Sequence, residues 1–111
     1  MAGESQLDPI TEPVLLILLS LAGQPRHGYA ILKDAERMSS GRVVLSTGTL
    51  YAALHRLLDD CWIEPFLEDE SPRGRRAYRL TAEGRRCLQA EIGRMKRLTR
   101  LASLRVARGE A

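Results

Sequence analysis

Four arginines, Arg73, Arg75, Arg76 and Arg79, lie within the eleven residues SPRGRRAYRLT. Clustered guanidinium groups gain most beside a polyanion, because their contacts release its counterions. A proline and a glycine in the same stretch indicate a turn, which projects the neighbouring side chains outward. The stretch therefore predicts contact with nucleic acid or with an anionic membrane surface, and a solvated charged surface is the alternative.

The charge of the chain is divided unevenly along its length. Residues 1 to 71 hold five basic and eleven acidic side chains, a net charge of −6. Residues 72 to 111 hold twelve basic and three acidic side chains, a net charge of +9. The formal net charge of +3 therefore hides a positive field that belongs to the last third of the chain.

Length and composition indicate a single globular domain. A chain of 111 residues that is 44% hydrophobic and 28% charged can bury one core and is too short for two. The apolar run from Val14 to Ala22 falls short of the roughly 20 residues that span a bilayer, and it has no basic lead or cleavage site. We therefore expect a cytoplasmic protein with no membrane partner.

Apolar spacing predicts three helices before residue 61. Helix one, at about 11–22, is apolar on nearly all sides, so its own domain and a second chain are expected to cover it. Helix two lies within HGYAILKDAERMSSG, is amphipathic and ends near Gly41. Helix three, at about 47–60, has Ser46 as its N-cap and a buried stripe that includes Leu50, Leu54 and Leu57.

The segments WIEPFLEDE and AYRL alternate apolar and polar residues, as strands do. Pro65 marks the first segment as an edge strand, because proline donates no ladder hydrogen bond. Turn residues between the segments predict a hairpin whose tip and return strand carry the four arginines. Within this hairpin, Arg79 is expected to pair with Glu64 or Glu68 across the strands.

A long last helix is predicted at residues 81–106, with Thr81 as its cap. Apolar and small residues follow a coiled-coil spacing along it, at Leu88, Ile92, Met95, Thr99, Ala102 and Val106, and three leucines widen this stripe, at Leu98, Leu101 and Leu104. A small domain has little left to cover so long a face. The stripe therefore predicts a partner helix.

The order of the elements indicates a winged helix-turn-helix, a mainly α fold with one small β-hairpin. In that fold the third helix lies in the major groove of DNA, and the hairpin wing follows the backbone or the minor groove. The prediction divides the chain into a flexible segment at 1–9, a DNA-binding domain at 10–80, a dimerisation helix at 81–106 and a flexible end at 107–111.

The candidate DNA contacts lie on the outward face of helix three and on the wing, at Ser46, Thr47, Thr49, Tyr51, His55, Arg56, Arg73, Arg75 and Arg76. Short hydroxyls at the start of the helix suit phosphates, because the positive end of the helix dipole lies there. His55 and Arg56 are long enough to reach base edges, and Tyr51 either joins them or packs against the domain. The wing arginines are expected to meet the phosphate backbone or the minor groove.

Three sequence motifs occur in order: HGYAI in helix two, STGTLYAALHRLLDDCWI from helix three into the wing, and GRRAYRLTAEGRRCL from the wing into helix four. Through these three motifs the chain resembles the PadR-like family of transcriptional regulators over about residues 15–88. The single helix after the wing is similar to that of the small subfamily. This likeness implies a homodimeric repressor that binds a near-palindromic operator in double-stranded DNA and is released by a small-molecule effector.

The resemblance also implies where the dimer forms. Helices one and four would build the interface, with Leu15, Leu18, Leu19, Leu88, Ile92, Met95, Leu98 and Ala102 as the contacting residues. Two features depart from the family's pattern. Cys61 stands where members usually have glycine, so a left-handed backbone at this position would be strained. Helix four lacks aromatic residues of the kind that some relatives stack on flat ligands.

Other classes of function find little support in the sequence. No catalytic motif and no glycine-rich phosphate loop occur, so neither enzymatic activity nor a cofactor is expected. His27, His55, Cys61 and Cys87 share no metal-ligand spacing; His27 is expected to tether helix two, and the cysteines to fill small apolar spaces. A protein-binding winged helix would need an apolar outward face on helix three, and membrane attachment by helix four would need Trp or Phe anchors.

Overall fold

The structure is a computed structural model that describes residues 10–67 and 76–109. Its elements are, in chain order, α1 (Glu12–Ala22), β1 (Arg26–His27), α2 (Gly28–Met38), α3 (Thr47–Asp59), β2 (Ile63–Phe66), β3 (Ala77–Leu80) and α4 (Ala82–Ala107). Four helices with a small antiparallel sheet and a long last helix confirm the predicted fold class. Residues 1–9 and 110–111, predicted to be flexible, lie outside the described residues, as do residues 68–75, where the hairpin tip was predicted.

Apolar side chains of the first three helices form the core. Ile17 and Leu18 of α1, Ile31 of α2 and Leu50 of α3 have no solvent exposure. In α2 and α3 the buried apolar residues recur at helical spacing, and polar residues occupy the opposite face. The hydrophobic effect therefore decides which side of each helix faces the core. Helix α1 packs against α2, β3 and α4, which supply most of the cover that its apolar sequence requires.

The sheet contains a strand that the sequence did not predict. Strand β1 pairs antiparallel with β3, so the strand order is β1-β3-β2. A strand of two residues is too short to show an alternating pattern, and it forms because β3 offers it backbone partners. Pro65 lies on β2 at the edge of the sheet, as predicted. Leu67 continues the alternation that begins at the buried Ile63 but is exposed, because β2 ends at Phe66.

Helix α2 ends earlier than the sequence indicates. It was expected to reach the neighbourhood of Gly41 but stops at Met38. Ser40, rather than the glycine, takes the first left-handed conformation, with a φ of 55°, and Gly41 follows with a φ of 81°. The Gly41 N–H donates to the carbonyl oxygen of Glu36 at 2.8 Å. The two residues together close the helix in a Schellman turn.

Helix α3 closes in the same way, and here the left-handed residue is Cys61, with a φ of 63°. The Cys61 N–H donates to the Leu58 carbonyl and the Trp62 N–H donates to the Leu57 carbonyl, each at 3.0 Å. Cys61 therefore adopts a left-handed backbone conformation at the position where the family pattern has glycine. A residue with a Cβ in this conformation costs about 1–2 kcal/mol relative to the right-handed region.

The end of α3 is joined to the start of α4 through backbone atoms. Thr81 donates from Oγ1 to the Cys61 carbonyl at 2.6 Å and from its N–H to the Trp62 carbonyl at 3.0 Å. Its Oγ1 also accepts the Gly84 N–H at 2.9 Å, which caps α4. Gly84 is buried, and a Cβ at this position would overlap the Trp62 carbonyl group. We refer to Cys61, Trp62, Thr81 and Gly84 as the junction.

Helix α4 has 26 residues and is therefore about 39 Å long. Gly84 and Leu88 near its start are buried, whereas every residue from Lys96 to Gly109 is exposed. The distal half of α4 therefore extends beyond the chain's own core. Among the described helices, none combines the length and the apolar character that a membrane crossing requires.

We expect Gly84→Ala to lower the free energy of unfolding by about 1–3 kcal/mol, because the added methyl group meets backbone that cannot rotate away. Gly93→Ala is the matched control. A Cβ at Gly93 would meet the Arg97 Nη1 atom at 3.7 Å, an ordinary contact, so this change should raise helix stability by up to about 1 kcal/mol. Urea unfolding followed by circular dichroism measures both, and equal effects would contradict the close contact at the junction.

Candidate nucleic-acid interface

Helix α3 separates an apolar inner face from a polar outer face. Leu50, Leu54 and Leu57 are buried against the core. All six candidate residues at the start and outer face of this helix are exposed, namely Ser46, Thr47, Thr49, Tyr51, His55 and Arg56. The sequence spacing therefore assigned the two faces correctly, and the outer face carries hydroxyls, an imidazole and a guanidinium.

A hydrogen-bonded pair of hydroxyls caps the start of α3. The Ser46 Oγ accepts the Thr49 N–H at 3.0 Å and donates to the Thr49 Oγ1 at 2.9 Å. In this arrangement the Thr49 hydroxyl keeps its own proton for an acceptor outside the chain. The exposed Thr47 lies at the first helical position, where the helix dipole is positive. This end of α3 is therefore chemically suited to an anion.

Tyr51 packs against the domain and faces solvent at the same time, so the two alternatives for this residue are not exclusive. The residue is 39% exposed. A Cβ placed at Gly28 would lie 2.5 Å from the Tyr51 hydroxyl oxygen, so the glycine makes room for the tyrosine. Sequence reasoning did not include Gly28 in the site. The glycine that opens α2 in HGYAI was the available signal.

A cleft of about 230 Å³ connects α3 with the base of the wing. Its lining residues come from α3 and from the start of the return strand, and they are Tyr51, Leu54, His55, Leu58, Arg76 and Tyr78. Burial raises the pKa of the Tyr78 hydroxyl, Tyr51 acts in the same direction, and Arg76 acts against both. The exposed Arg76 thus shares one surface with Tyr51 and His55, as the predicted interface requires.

The arginines of the wing differ in their surroundings. Arg73 and Arg75 lie outside the described residues. Arg79 pairs across the strands with Glu64, with 2.7 Å between Nε and Oε2, which confirms one of the two predicted partners. Its guanidinium carbon also lies 5.4 Å from the centroid of the Phe66 ring. Arg79 is therefore held on the sheet, whereas Arg76 lies beside α3.

Two of the predicted dimer contacts belong to the core of the chain itself. Leu18 and Leu88 are 0% and 3% exposed, so their side chains have no surface to offer a second chain, and assigning them to the interface was wrong. Their inward position follows from the packing of α1 against α4. The remaining predicted contacts keep accessible surface. They are Leu15, Leu19, Ile92, Met95, Leu98 and Ala102.

Apolar residues occur on more than one face of distal α4. Leu98 is 50% exposed, and Leu101 and Leu104 are exposed to a similar degree. At 100° per residue, Leu101 and Leu104 point about 140° and 160° away from Leu88. These two leucines therefore do not widen the stripe that begins at Leu88, as expected from sequence, but form a second apolar strip on the opposite face.

The histidine and cysteine side chains considered as metal ligands lie in separate parts of the fold. Cys61 is exposed and does not fill an apolar space, because its position is set by the turn that closes α3. Burial raises the pKa of the Cys87 thiol, and Glu83 acts in the same direction. His27 stands at the N-cap of α2, and its side chain does not make the capping hydrogen bond of that helix. Within residues 10–67 and 76–109, no three His, Cys, Asp or Glu side chains gather as metal ligands would.

Comparison with known proteins identifies the family. The model of the "Transcriptional regulator PadR-like family" matches residues 16–90. A PadR family transcription regulator from Clostridium difficile has a similar structure, with 26% identity, a TM-score of 0.71 and coverage of 86% of this chain and 99% of that one. A transcriptional regulator from Clostridium thermocellum is also similar, with 26% identity, a TM-score of 0.67 and coverage of 80% and 87%.

A relative in sequence is an uncharacterised 37.1 kDa protein in a transposon of Streptomyces fradiae, 41% identical over 86 residues. The match covers 77% of this chain and 23% of that protein, so the chain spans less than a quarter of the relative's length. The family model, by contrast, covers α1 from Leu16 through the start of α4, which includes the whole candidate interface. The chain therefore belongs to the PadR-like family, whose members are transcriptional regulators and not enzymes.

Proposed function

We propose that the chain is a homodimeric repressor that binds a near-palindromic operator in double-stranded DNA through α3 and the wing and leaves it when a small-molecule effector binds. In this proposal residues 10–80 are the DNA-binding domain, α4 is the dimerisation helix, and the protein works in the cytoplasm, where its DNA lies. The observation that carries the proposal is the continuous polar surface made by the outer face of α3 and Arg76.

The two ends of this surface have different tasks. At the start of α3, the Thr47 and Thr49 hydroxyls, with Ser46 behind Thr49, donate to phosphate oxygens. Further along the helix, His55 and Arg56 reach base edges in the major groove. Arg76, with Arg73 and Arg75 from the same sequence cluster, contacts the backbone beside the groove. Phosphate contacts fix the register, and base contacts supply the sequence preference.

We expect Arg76→Glu to abolish operator binding at moderate salt, because a carboxylate then faces the phosphates. Lys96→Glu, which makes the same charge change on α4 at an exposed position between its two apolar strips, is the control and should bind normally. Fluorescence anisotropy with duplexes from the chain's own upstream DNA measures both, and the unmodified protein should lose affinity steeply as salt rises. Normal binding by Arg76→Glu, or no salt-dependent binding by the unmodified protein, would contradict the proposal.

His55→Ala should change which operator is preferred rather than how tightly DNA of any sequence is bound. A base contact of this kind contributes about 1–3 kcal/mol of discrimination at one position, whereas non-specific binding depends on the backbone contacts. Competition between the operator and a series of single-base variants measures the preference. An unchanged ranking of the variants would show that His55 does not read a base.

A dimer is proposed because one recognition helix reads few base pairs. Two such helices about 34 Å apart meet successive major grooves on one side of the duplex. The exposed apolar residues of distal α4, together with Leu15 and Leu19 of α1, are the surface proposed to hold the two copies. Because distal α4 is apolar on opposite faces, more than one helix of the partner is expected to cover it.

Effector release is proposed to use the same helices. A molecule bound between the α1 and α4 helices of the two copies would change the direction of α4. The junction ties the start of α4 to the end of α3 through the carbonyl groups of Cys61 and Trp62. A change in α4 would therefore alter the spacing of the two recognition helices, and the dimer would no longer fit successive grooves.

We expect the double substitution Leu98→Glu with Ala102→Glu to give a folded monomer with little operator affinity, because four carboxylates would be buried in the interface. These positions are chosen because both are exposed in the single chain, whereas Ile92 packs against its core. Arg56→Glu is the control: it should remain a dimer and still lose DNA affinity. Analytical ultracentrifugation and anisotropy on the same samples decide the matter, and a dimeric double variant would contradict the assigned interface.

A further inference from the structure

A ridge of polar side chains runs along the outer side of α2. Tyr29, Lys33 and Arg37 follow one another at intervals of four residues and are all exposed. Gly28, Ile31 and Ala35 form the buried face of the same helix. Tyr29 is 70% exposed, so burial in the core does not account for an aromatic residue at this position. The ridge is not part of the surface described for α3 and the wing.

The start of the ridge lies next to α3. Gly28, the residue before Tyr29, makes room for the Tyr51 hydroxyl of α3. Strand β1, which leads into α2, pairs His27 with Ala77, the residue after Arg76. The end of α2 that carries Tyr29 therefore borders the surface formed by α3 and the wing, and Lys33 follows one turn further along the helix.

The chemistry of the ridge is that of a donor surface. The Lys33 Nζ lies 5.9 Å from the centroid of the Tyr29 ring, so the ammonium and the phenol occupy one patch. Arg37 belongs to the same ridge, but its guanidinium binds Asp34 at 3.1 Å, which offsets its charge. Lys33 therefore supplies the positive charge, and Tyr29 supplies a neutral hydroxyl donor. Phosphodiester oxygens accept from both kinds of group.

The position of α2 in a helix-turn-helix indicates which phosphate groups Tyr29 and Lys33 would contact. When the second helix of the pair lies in the major groove, the first crosses the backbone that borders the groove. Here the first helix is α2 and the second is α3. We propose that Tyr29 and Lys33 bind the phosphate backbone at the edge of the groove that α3 occupies. This inference rests on the proposed function.

Contacts from Tyr29 and Lys33 would position the protein without reading sequence. Neither residue belongs to the face of α3 that carries His55 and Arg56, and backbone contacts are the same at every base pair. These contacts would add to that of Arg76 beside α3. The register of His55 and Arg56 over the bases would then depend on backbone contacts from α2 as well as from the wing.

The test compares Lys33→Gln and Tyr29→Phe with the control Lys96→Gln, by anisotropy over a series of salt concentrations; Lys96 is exposed and lies between the two apolar strips of α4. Each backbone cation contributes about one to the slope of log affinity against log salt. Because the proposed dimer carries two copies of Lys33, Lys33→Gln should lower that slope by about two, on operator and on unrelated duplexes alike. Tyr29→Phe should weaken binding by about tenfold with the slope unchanged, because it removes a hydrogen bond and no charge. Lys96→Gln should change neither quantity.

The outcomes separate this inference from the function on which it rests. An unmodified protein that binds no DNA overturns both proposals. An unmodified protein that binds with a steep slope, together with a Lys33→Gln variant of equal slope, overturns this inference alone. So does a Tyr29→Phe variant of unchanged affinity. Because both residues are exposed, the variants should keep the unfolding midpoint of the unmodified protein, and its measurement excludes a loss of fold as the cause.

Discussion

The backbone carbonyl groups of Cys61 and Trp62 hold the end of α3 against the start of α4. Thr81 donates to both carbonyls, and Gly84 lies against Trp62 without the Cβ that would separate them. The contact joins backbone to backbone, so it has no flexible side chain to absorb a displacement. The position of the recognition helix relative to the long helix depends on it, and so does any mechanism in which α4 governs DNA affinity.

The junction also sets where the wing lies. Because α3 closes in a left-handed turn at Cys61, the chain reverses within a few residues and enters β2. Strand β3 returns beside it and brings Arg76 to the cleft next to Tyr51 and His55. A glycine at position 61 would make the same turn without strain. The two closing hydrogen bonds of α3 and the bond from Thr81 offset the cost of about 1–2 kcal/mol that the cysteine imposes.

The positive charge of the last third of the chain does not form one patch. Several of its arginines pair with carboxylates nearby, Arg79 with Glu64, Arg86 with Glu83 and Arg94 with Glu91. Others follow distal α4 away from the wing. A count of charges along the sequence therefore overstates the field at the proposed DNA surface. Arg76, which lies beside α3, matters more there than the net charge of its segment.

The sequence by itself determined the order and approximate spans of the helices, the paired strands with their edge proline and the two faces of α3, because a period of 3.6 or 2 residues indicates which side chains share a face. The tertiary structure alone decided what covers each face. It placed Leu18 and Leu88 inside the chain instead of at an interface, and it made a strand of Arg26 and His27. The tertiary structure also packed the Tyr51 hydroxyl against Gly28. These outcomes depend on contacts between residues far apart in the chain, and local periodicity carries no information about such contacts.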